Sequence, residues 1–148
     1  MRYLLDSDTL SDLYEPASPG HTGVARRLAQ LSDSDKVFIS ILALYEVEYG
    51  YANAPEGKKD LIRQRIADMR GDFEILPLTP EAARLFGSLK AALSQFRGLS
   101  SEKSKIHNID VMLAATAVTE ACTLISTDSI YGDLQKTDPM LQIENWLV

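Results

Sequence analysis

The sequence predicts a single α/β domain over residues 1–148, a three-layer α/β/α sandwich around a central, mainly parallel sheet. Short apolar runs of strand length alternate with longer stretches whose apolar residues recur at helical spacing, a pattern typical of parallel strands joined by helices. Hydrophobic residues make up 45% of the chain and charged residues 24%, which is ordinary for a globular protein. A chain of 148 residues has the length of one domain with its own core.

Each predicted element follows from its local pattern. Polar residues end the first strand, and Ser40 and Thr79 precede helical patterns as N-cap residues. The predicted strands are Arg2–Asp6, Val37–Ile41, Phe73–Leu78, Thr123–Ser126 and Gln142–Val148. The predicted helices span Thr9–Tyr14, Thr22–Leu31, residues 41–51, Gly57–Arg70, residues 80–96 and Asn108–Ala121. In the Gly57–Arg70 helix the side chains expected to face inward are Leu61, Ile62, Ile66 and Met69. A polar loop is predicted at Gly98–Lys105, and Asn108 is predicted to cap the helix that follows it.

Charge is unevenly distributed along the chain. The formal net charge is −6 and the sequence pI is near 4.9, which argues against a phosphate-rich partner because phosphate contacts need Lys and Arg. Residues 58–105, however, contain ten Lys and Arg against six Asp and Glu, a net charge of +4; the rest of the chain contains five against fifteen, a net charge of −10. The sequence therefore predicts a basic middle region in an acidic protein.

Several features indicate the expected compartment. No apolar run reaches the roughly 18–20 residues of a membrane span, and Asp6 interrupts the apolar start before a signal-peptide core could form. The only cysteine, Cys122, excludes an internal disulfide, and we expect it to be a small buried residue before a strand. His21 and His107 are not at zinc-binding spacing, so we expect a structural or exposed role for His107. We expect a soluble, cytoplasmic protein without a membrane partner.

Four acidic residues occupy positions that a parallel sheet would bring together. Asp6 ends the first strand, and Asp128 follows the Thr123–Ser126 strand; ligands bind outside the carboxyl ends of the strands in such sheets. Asp110 falls in the first turn of a predicted helix, and Glu46 lies on the helix after the second strand. Four carboxylates in one pocket would repel one another unless cations lay among them. Oxygen ligands alone select hard ions, so the sequence predicts Mg²⁺ or Mn²⁺.

Each of these acids also has a purely structural explanation. Asp6 or the nearby Asp8 could cap a turn. Asp110 could serve only as a favourable charge at a helix N-terminus, and Glu46 taken alone could face solvent. Only the coincidence of all four favours a metal site.

Four segments in order resemble the motifs of PIN domains and, within that superfamily, of the VapC-type toxins of prokaryotic toxin–antitoxin pairs. The segment YLLDSDTL (residues 3–10) resembles the opening acidic turn, and SILALYEVEYGY (40–51) resembles the helix that carries a glutamate. The segment IHNIDVMLAATA (106–117) resembles the Asp-led helix, and TLISTDSIYGDL (123–134) the closing strand and acidic turn. The closing turn departs from the usual pattern, since Ile130-Tyr131-Gly132 stands where relatives have a Phe.

The resemblance implies a metal-dependent ribonuclease that hydrolyses RNA phosphodiester bonds, with the RNA backbone on the basic 58–105 region. It further implies a homodimer and a cognate antitoxin protein. The implied catalytic and metal-binding residues are Asp6, Glu46, Asp110 and Asp128, with Ser7, Asp8 and Ser126 as supporting residues and Asp133 as a peripheral candidate.

Two other functions fit parts of the pattern. The opening segment also resembles the Asp-x-Asp-x-Thr signature of haloacid-dehalogenase-type phosphatases, in which Asp6 would be the nucleophile and Asp8 a general acid. That interpretation leaves Glu46 and Asp110 without a role. A non-catalytic PIN module that binds RNA or protein would keep only the fold, and the presence of all four acids argues against it.

Overall fold

The computed structural model describes all 148 residues and contains five strands, eight α-helices and one 3-10 turn. None of its helices combines the length and the apolar character that a membrane crossing requires. The strands are β1 (Arg2–Leu5), β2 (Lys36–Ser40), β3 (Glu74–Leu76), β4 (Thr123–Ile125) and β5 (Gln142–Glu144). The helices are α1 (Ser7–Tyr14), α2 (His21–Ala29), α3 (Ile41–Asn53), α4 (Glu56–Asp72), α5 (Pro80–Arg97), α6 (Ser101–Ser104), α7 (Asn108–Thr119) and α8 (Ser129–Thr137), with the 3-10 turn at Lys105–His107 between α6 and α7.

The five strands form one sheet in the order β3-β2-β1-β4-β5, and every neighbouring pair is parallel. β1 lies at the centre, where Leu5 is paired with Ile39 of β2 on one side and with Ile125 of β4 on the other. The carboxyl ends of these three strands therefore reach the same edge of the sheet. The predicted α/β fold with a parallel sheet is confirmed.

Two hydrophobic cores flank the sheet because successive side chains of a strand point to opposite faces. Leu4 and Leu124 pack on one face with buried residues of α5, α7 and α8. Tyr3 and Leu5 pack on the other face with buried residues of α1, α2, α3 and α4. The result is three layers, with helices on both sides of the sheet.

The sequence pattern predicts no helix after β4, but α8 forms there. Its apolar residues Ile130, Tyr131 and Leu134 recur at helical spacing and are all nearly fully buried. The helix has only nine residues and contains Gly132, so its propensity is weak and burial in the core decides its formation. Asp128 therefore lies at the start of a helix and not in an open turn.

The polar loop predicted at Gly98–Lys105 is only partly correct. Gly98 ends α5 in the left-handed conformation, with φ of 64°, and a chain reversal there suits glycine. Ser100 then caps α6, which the 3-10 turn extends toward α7. The predicted Asn108 cap is wrong, because His107 precedes the helix and Asn108 is its first residue.

One predicted burial and two predicted strand boundaries are wrong. Leu61 on α4 was predicted to face inward but is 64% exposed, whereas Met69 on the same helix is buried. Because α4 packs mainly against α3, only a narrow apolar stripe of α4 is covered. The predicted terminal strand stops at Glu144, since Trp146 turns into the core and its indole N–H donates to the Glu144 carboxylate at 2.9 Å. The third strand is shorter than predicted as well, covering only Glu74–Leu76.

Candidate metal centre

Three neighbouring strands lead into helices that begin with a capping side chain. Asp6 follows β1 and caps α1, Ser40 ends β2 and caps α3, and Asp128 lies shortly after β4 and caps α8. Because the three strands are adjacent and parallel, the three helix N-termini lie along one edge of the sheet. The free N–H groups and partial positive charge of helix N-termini favour anions. This edge can therefore hold several carboxylates.

Asp6 is a buried carboxylate at the centre of this edge, with 5% of its surface exposed. Its side chain accepts a hydrogen bond from the backbone N–H of Thr9 at 2.8 Å, and its own N–H donates to the carbonyl of Ile125 at 3.1 Å. Burial raises the pKa of Asp6, and hydrogen bonds from Ser126 and Thr9 oppose the rise. Asp6 is thus both the cap of α1 and an acid that water does not fully solvate.

Asp110 in the first turn of α7 lies beside Asp128. Burial raises the pKa of the Asp110 carboxyl, and the negative charge of Asp128 raises it further. The hydroxyl oxygen of Tyr131 lies 3.4 Å from Asp110 Oδ1. Burial raises the pKa of the Tyr131 phenol well above its ordinary value, and the charges of Asp110, Asp6 and Asp128 add to the rise. The charges of three of the four predicted acids therefore act on one buried tyrosine.

Glu46, the fourth predicted acid, reaches the site through a serine. Ser7 immediately follows Asp6, and its hydroxyl donates to Glu46 Oε1 at 2.8 Å. This contact joins the first turn of α1 to the second turn of α3, whereas Glu46 itself is exposed to solvent. Ser7, predicted as a supporting residue, thus contacts one of the four predicted acids.

The charge of this acidic set is not compensated by basic side chains. None of the four carboxylates forms an ion pair with a lysine or arginine. The only cationic candidate is His107, whose Nδ1 lies 3.7 Å from Asp110 Oδ2. No group of three or more acidic, histidine or cysteine side chains forms a ready set of ligands. Even so, uncompensated oxygen donors without sulfur fit a hard divalent ion such as Mg²⁺ or Mn²⁺.

The other predicted residues have different surroundings. Ser126 is buried, and its hydroxyl oxygen accepts the backbone N–H of Asp128 at 3.0 Å, which fixes the start of α8. Asp8 is exposed on the first turn of α1. Asp133 pairs with Arg97 at 2.7 Å, so its charge is already compensated outside the acidic set.

Sequence reasoning left two neighbours of Asp110 out of the site, His107 and Tyr131. The i,i+3 spacing of His107 and Asp110 was an available signal, because residues three apart on a helix face each other. Tyr131 lies three residues after Asp128, and its place became visible only with the unpredicted α8.

A groove with a volume of about 260 Å³ opens beside Glu46 and Ser7. Its walls come from α1, α3 and α4 and include the apolar side chains of Leu10, Val47 and Met69. The groove gives a larger ligand a place to lie next to the carboxylates.

Comparison with known proteins bears on the family and the fold of this chain. The PIN domain family matches residues 3–136. No curated protein matches the chain significantly.

Three solved structures illustrate the similarity. VapBC-1 from nontypeable Haemophilus influenzae aligns with a TM-score of 0.77 and 17% identity over 100% of both chains. VapBC2 from Rickettsia felis, crystallised with a DNA fragment from its promoter, aligns with a TM-score of 0.75 and 22% identity over 99% of both chains. VapBC-5 from Mycobacterium tuberculosis, a member of the VapBC family of toxin-antitoxin systems, aligns with a TM-score of 0.58 and 23% identity over 99% of this chain and 98% of that chain. At these identities the structures establish a shared fold, and the match over residues 3–136 shows that this chain belongs to the PIN domain family.

Proposed function

We propose that this protein is a divalent-metal-dependent endoribonuclease and the toxin component of a toxin–antitoxin system. The observation that carries the proposal is the placement of Asp6 and Asp128 at the ends of two adjacent parallel strands, with Asp110 beside Asp128 and Glu46 joined to the same edge through Ser7. Membership of the PIN domain family supports the proposal. It also decides against the haloacid-dehalogenase alternative, in which Asp6 would be a covalent nucleophile.

Each acid has a defined task in this proposal. Asp6, Glu46, Asp110 and Asp128 would hold Mg²⁺ or Mn²⁺. Such an ion activates water and stabilises the charge that develops on phosphate oxygens during hydrolysis. Ser7 orients Glu46 by its 2.8 Å hydrogen bond. Ser126 fixes the backbone of Asp128 and lies close to Asp6, so it supports two of the proposed ligands.

The basic middle region would hold the RNA backbone. Several cations of residues 58–105 are engaged in ion pairs, such as Arg65 with Glu15 at 3.6 Å. Lys58, Arg70 and Arg84 form no ion pair and are exposed on α4 and α5. Exposed, uncompensated cations are the groups that bind phosphates. This division assigns RNA binding to the helices and cleavage to the acidic edge.

A cognate antitoxin and a second copy of the chain are the proposed protein partners. VapBC-5 is a member of the VapBC family of toxin–antitoxin systems, and VapBC2 is bound to a DNA fragment from its promoter. Exposed apolar side chains on α5, the 3-10 turn and α7, among them Phe96, Ile106 and Ile109, offer surface for association. Light scattering of the purified chain should give a dimer mass; a monomer at all concentrations would contradict the homodimer proposal.

The proposed activity is tested by adding the purified chain to total cellular RNA with Mg²⁺ and sequencing the new RNA ends. We expect defined ends that disappear with a chelator and with the Asp110→Asn variant. If wild-type protein bound RNA without producing ends, the non-catalytic binding module would be the better interpretation. If Asp110→Asn produced the same ends at the same rate, the proposed site would be wrong.

A further inference from the structure

Tyr131 places a hydroxyl group inside the core beside the acidic edge. Only 2% of its surface is exposed, and its ring belongs to the core formed with α5, α7 and α8. The hydroxyl has one hydrogen-bond partner in the structure, Asp110 Oδ1 at 3.4 Å. Burying a hydroxyl without a hydrogen-bond partner is energetically unfavourable. Pairing with Asp110 is therefore what makes this buried hydroxyl tolerable.

The direction of this hydrogen bond follows from the two groups. A phenol has an ordinary pKa of about 10 and is protonated at neutral pH, whereas an ionised carboxylate can only accept. Tyr131 is therefore the donor and Asp110 the acceptor. The 3.4 Å separation exceeds the usual O–H···O range of about 2.5–3.0 Å, so the contact is a long hydrogen bond.

The tyrosine itself is firmly held. Asp128 caps the start of α8 by accepting the N–H of Ile130 at 3.0 Å. Asp133, also in α8, pairs with Arg97 of α5 at 2.7 Å. Leu134, one turn after Tyr131, is completely buried. Because α8 is held at both of these contacts and the ring is enclosed, the position of the Tyr131 hydroxyl beside Asp110 is fixed.

We propose that Tyr131 is a positioning residue that holds the Asp110 carboxylate in the orientation needed to bind a divalent metal ion. The inference rests on the proposed metal-dependent function. Hydrogen bonds to ligating carboxylates are part of the design of metal sites, and losing such a partner typically weakens metal binding by about 10–100-fold. Tyr131 would thus act through Asp110 and would not itself touch the ion.

The test is calorimetric titration of Mn²⁺ into full-length, metal-free protein in the absence of RNA. The Tyr131→Phe variant removes one oxygen and keeps every ring contact. We expect its Mn²⁺ affinity to fall by roughly 10-fold, with a matching change in the electron paramagnetic resonance spectrum of bound Mn²⁺. The matched control is Tyr3→Phe, which removes the hydroxyl of a buried tyrosine in the opposite core; its Mn²⁺ affinity should equal that of the wild type.

Each other outcome overturns the inference. Equal Mn²⁺ affinity of wild type and Tyr131→Phe would do so even if the melting temperature fell, since a purely structural hydroxyl changes stability without changing metal binding. An unfolded Tyr131→Phe protein would show that the hydroxyl is required for folding, and this structural role would replace the proposed positioning role. A wild-type protein that neither binds Mn²⁺ nor cleaves RNA would refute the proposed function itself, and the role of Tyr131 would fall with it.

Discussion

Asp6 shows how one side chain combines a structural task with a proposed chemical one. Its carboxylate caps α1 by accepting the backbone N–H of Thr9. The same carboxylate is buried, and this burial raises its pKa. Asparagine caps a helix about as well as aspartate. Substitution by asparagine therefore separates the capping task from the charge.

We expect Asp6→Asn and Asp110→Asn each to lower the RNA cleavage rate by roughly 100-fold or more, because metal ions supply several kcal/mol of transition-state stabilisation. Both variants should fold. Without metal their melting temperatures should rise by roughly 2–4 °C, the shift that about 1 kcal/mol gives in a domain of this size, because repulsion and burial of charge are relieved. Cleavage assays and thermal melts with a chelator measure the two effects. Wild-type cleavage by Asp110→Asn would disprove its assignment.

The raised pKa values of Asp6 and Asp110 also set the pH dependence of stability. Between the ordinary carboxyl pKa of about 4 and the raised native values, the native state binds more protons than the unfolded state. The free energy of unfolding therefore falls as pH rises through this window. Urea unfolding of metal-free protein at a series of pH values should show this decline, and the Asp6→Asn/Asp110→Asn double variant should lose most of it. An equal decline in the double variant would contradict these assignments.

For single residues, the sequence predicted the positions of Asp6 and Asp128 on the sheet edge but not the side chains that contact the acidic residues. Asp6 and Asp128 follow strands, so the edge rule for parallel sheets was enough to bring them together. The Ser7–Glu46 hydrogen bond spans 39 residues, and the Tyr131–Asp110 contact spans 21 residues. Such contacts depend on how helices pack, which local patterns do not encode.

At the level of elements, α2 is fitted closely against the C-terminal segment. A Cβ on Gly23 would lie 2.6 Å from the backbone carbonyl oxygen of Trp146, a distance that backbone atoms cannot relieve easily. Gly87 lies within α5 and has open space around it. The two helical glycines therefore differ only in their surroundings.

We expect Gly23→Ala to lower the free energy of unfolding by about 1–3 kcal/mol, the usual cost of overpacking. Gly87→Ala should raise it by roughly 0.5–1 kcal/mol, since alanine is the better helix former. Denaturant unfolding measures both changes. If Gly23→Ala were as stable as Gly87→Ala, the packing of α2 against the chain end would be wrong.

Strand and helix prediction succeeded where burial and local pattern agreed. β1 and β2 each contain a buried apolar run that leads to a capping residue, Asp6 or Ser40, and their positions were predicted nearly to the residue. α8 was missed because nine residues with a central glycine have little intrinsic helix preference, and the 3-10 turn before α7 is too short for any periodicity. Helix α8 is therefore stabilised by the burial of Ile130, Tyr131 and Leu134 and not by its own helix preference.

At the level of the whole molecule, the charge of −6 hides a separation into an acidic edge and basic helices. If Arg70 and Arg84 contact phosphates, replacing either by glutamine should weaken RNA binding similarly for all sequences. The slope of log affinity against log salt should fall by about 0.7 per lost contact with single-stranded RNA. Lys36→Gln is the control, because Lys36 is an exposed cation at the start of β2, away from the carboxyl edge. An effect of Lys36→Gln equal to the others would argue against a specific role of Arg70 and Arg84 in RNA binding.

We propose that acids from four separate segments hold one cation at the carboxyl edge of the sheet. Anomalous scattering from crystals grown with Mn²⁺ would locate this ion. We expect a peak bounded by Asp6, Asp110 and Asp128, with Glu46 as a direct or water-mediated neighbour. A strong Mn²⁺ peak elsewhere, or none at this edge at saturating Mn²⁺, would contradict it.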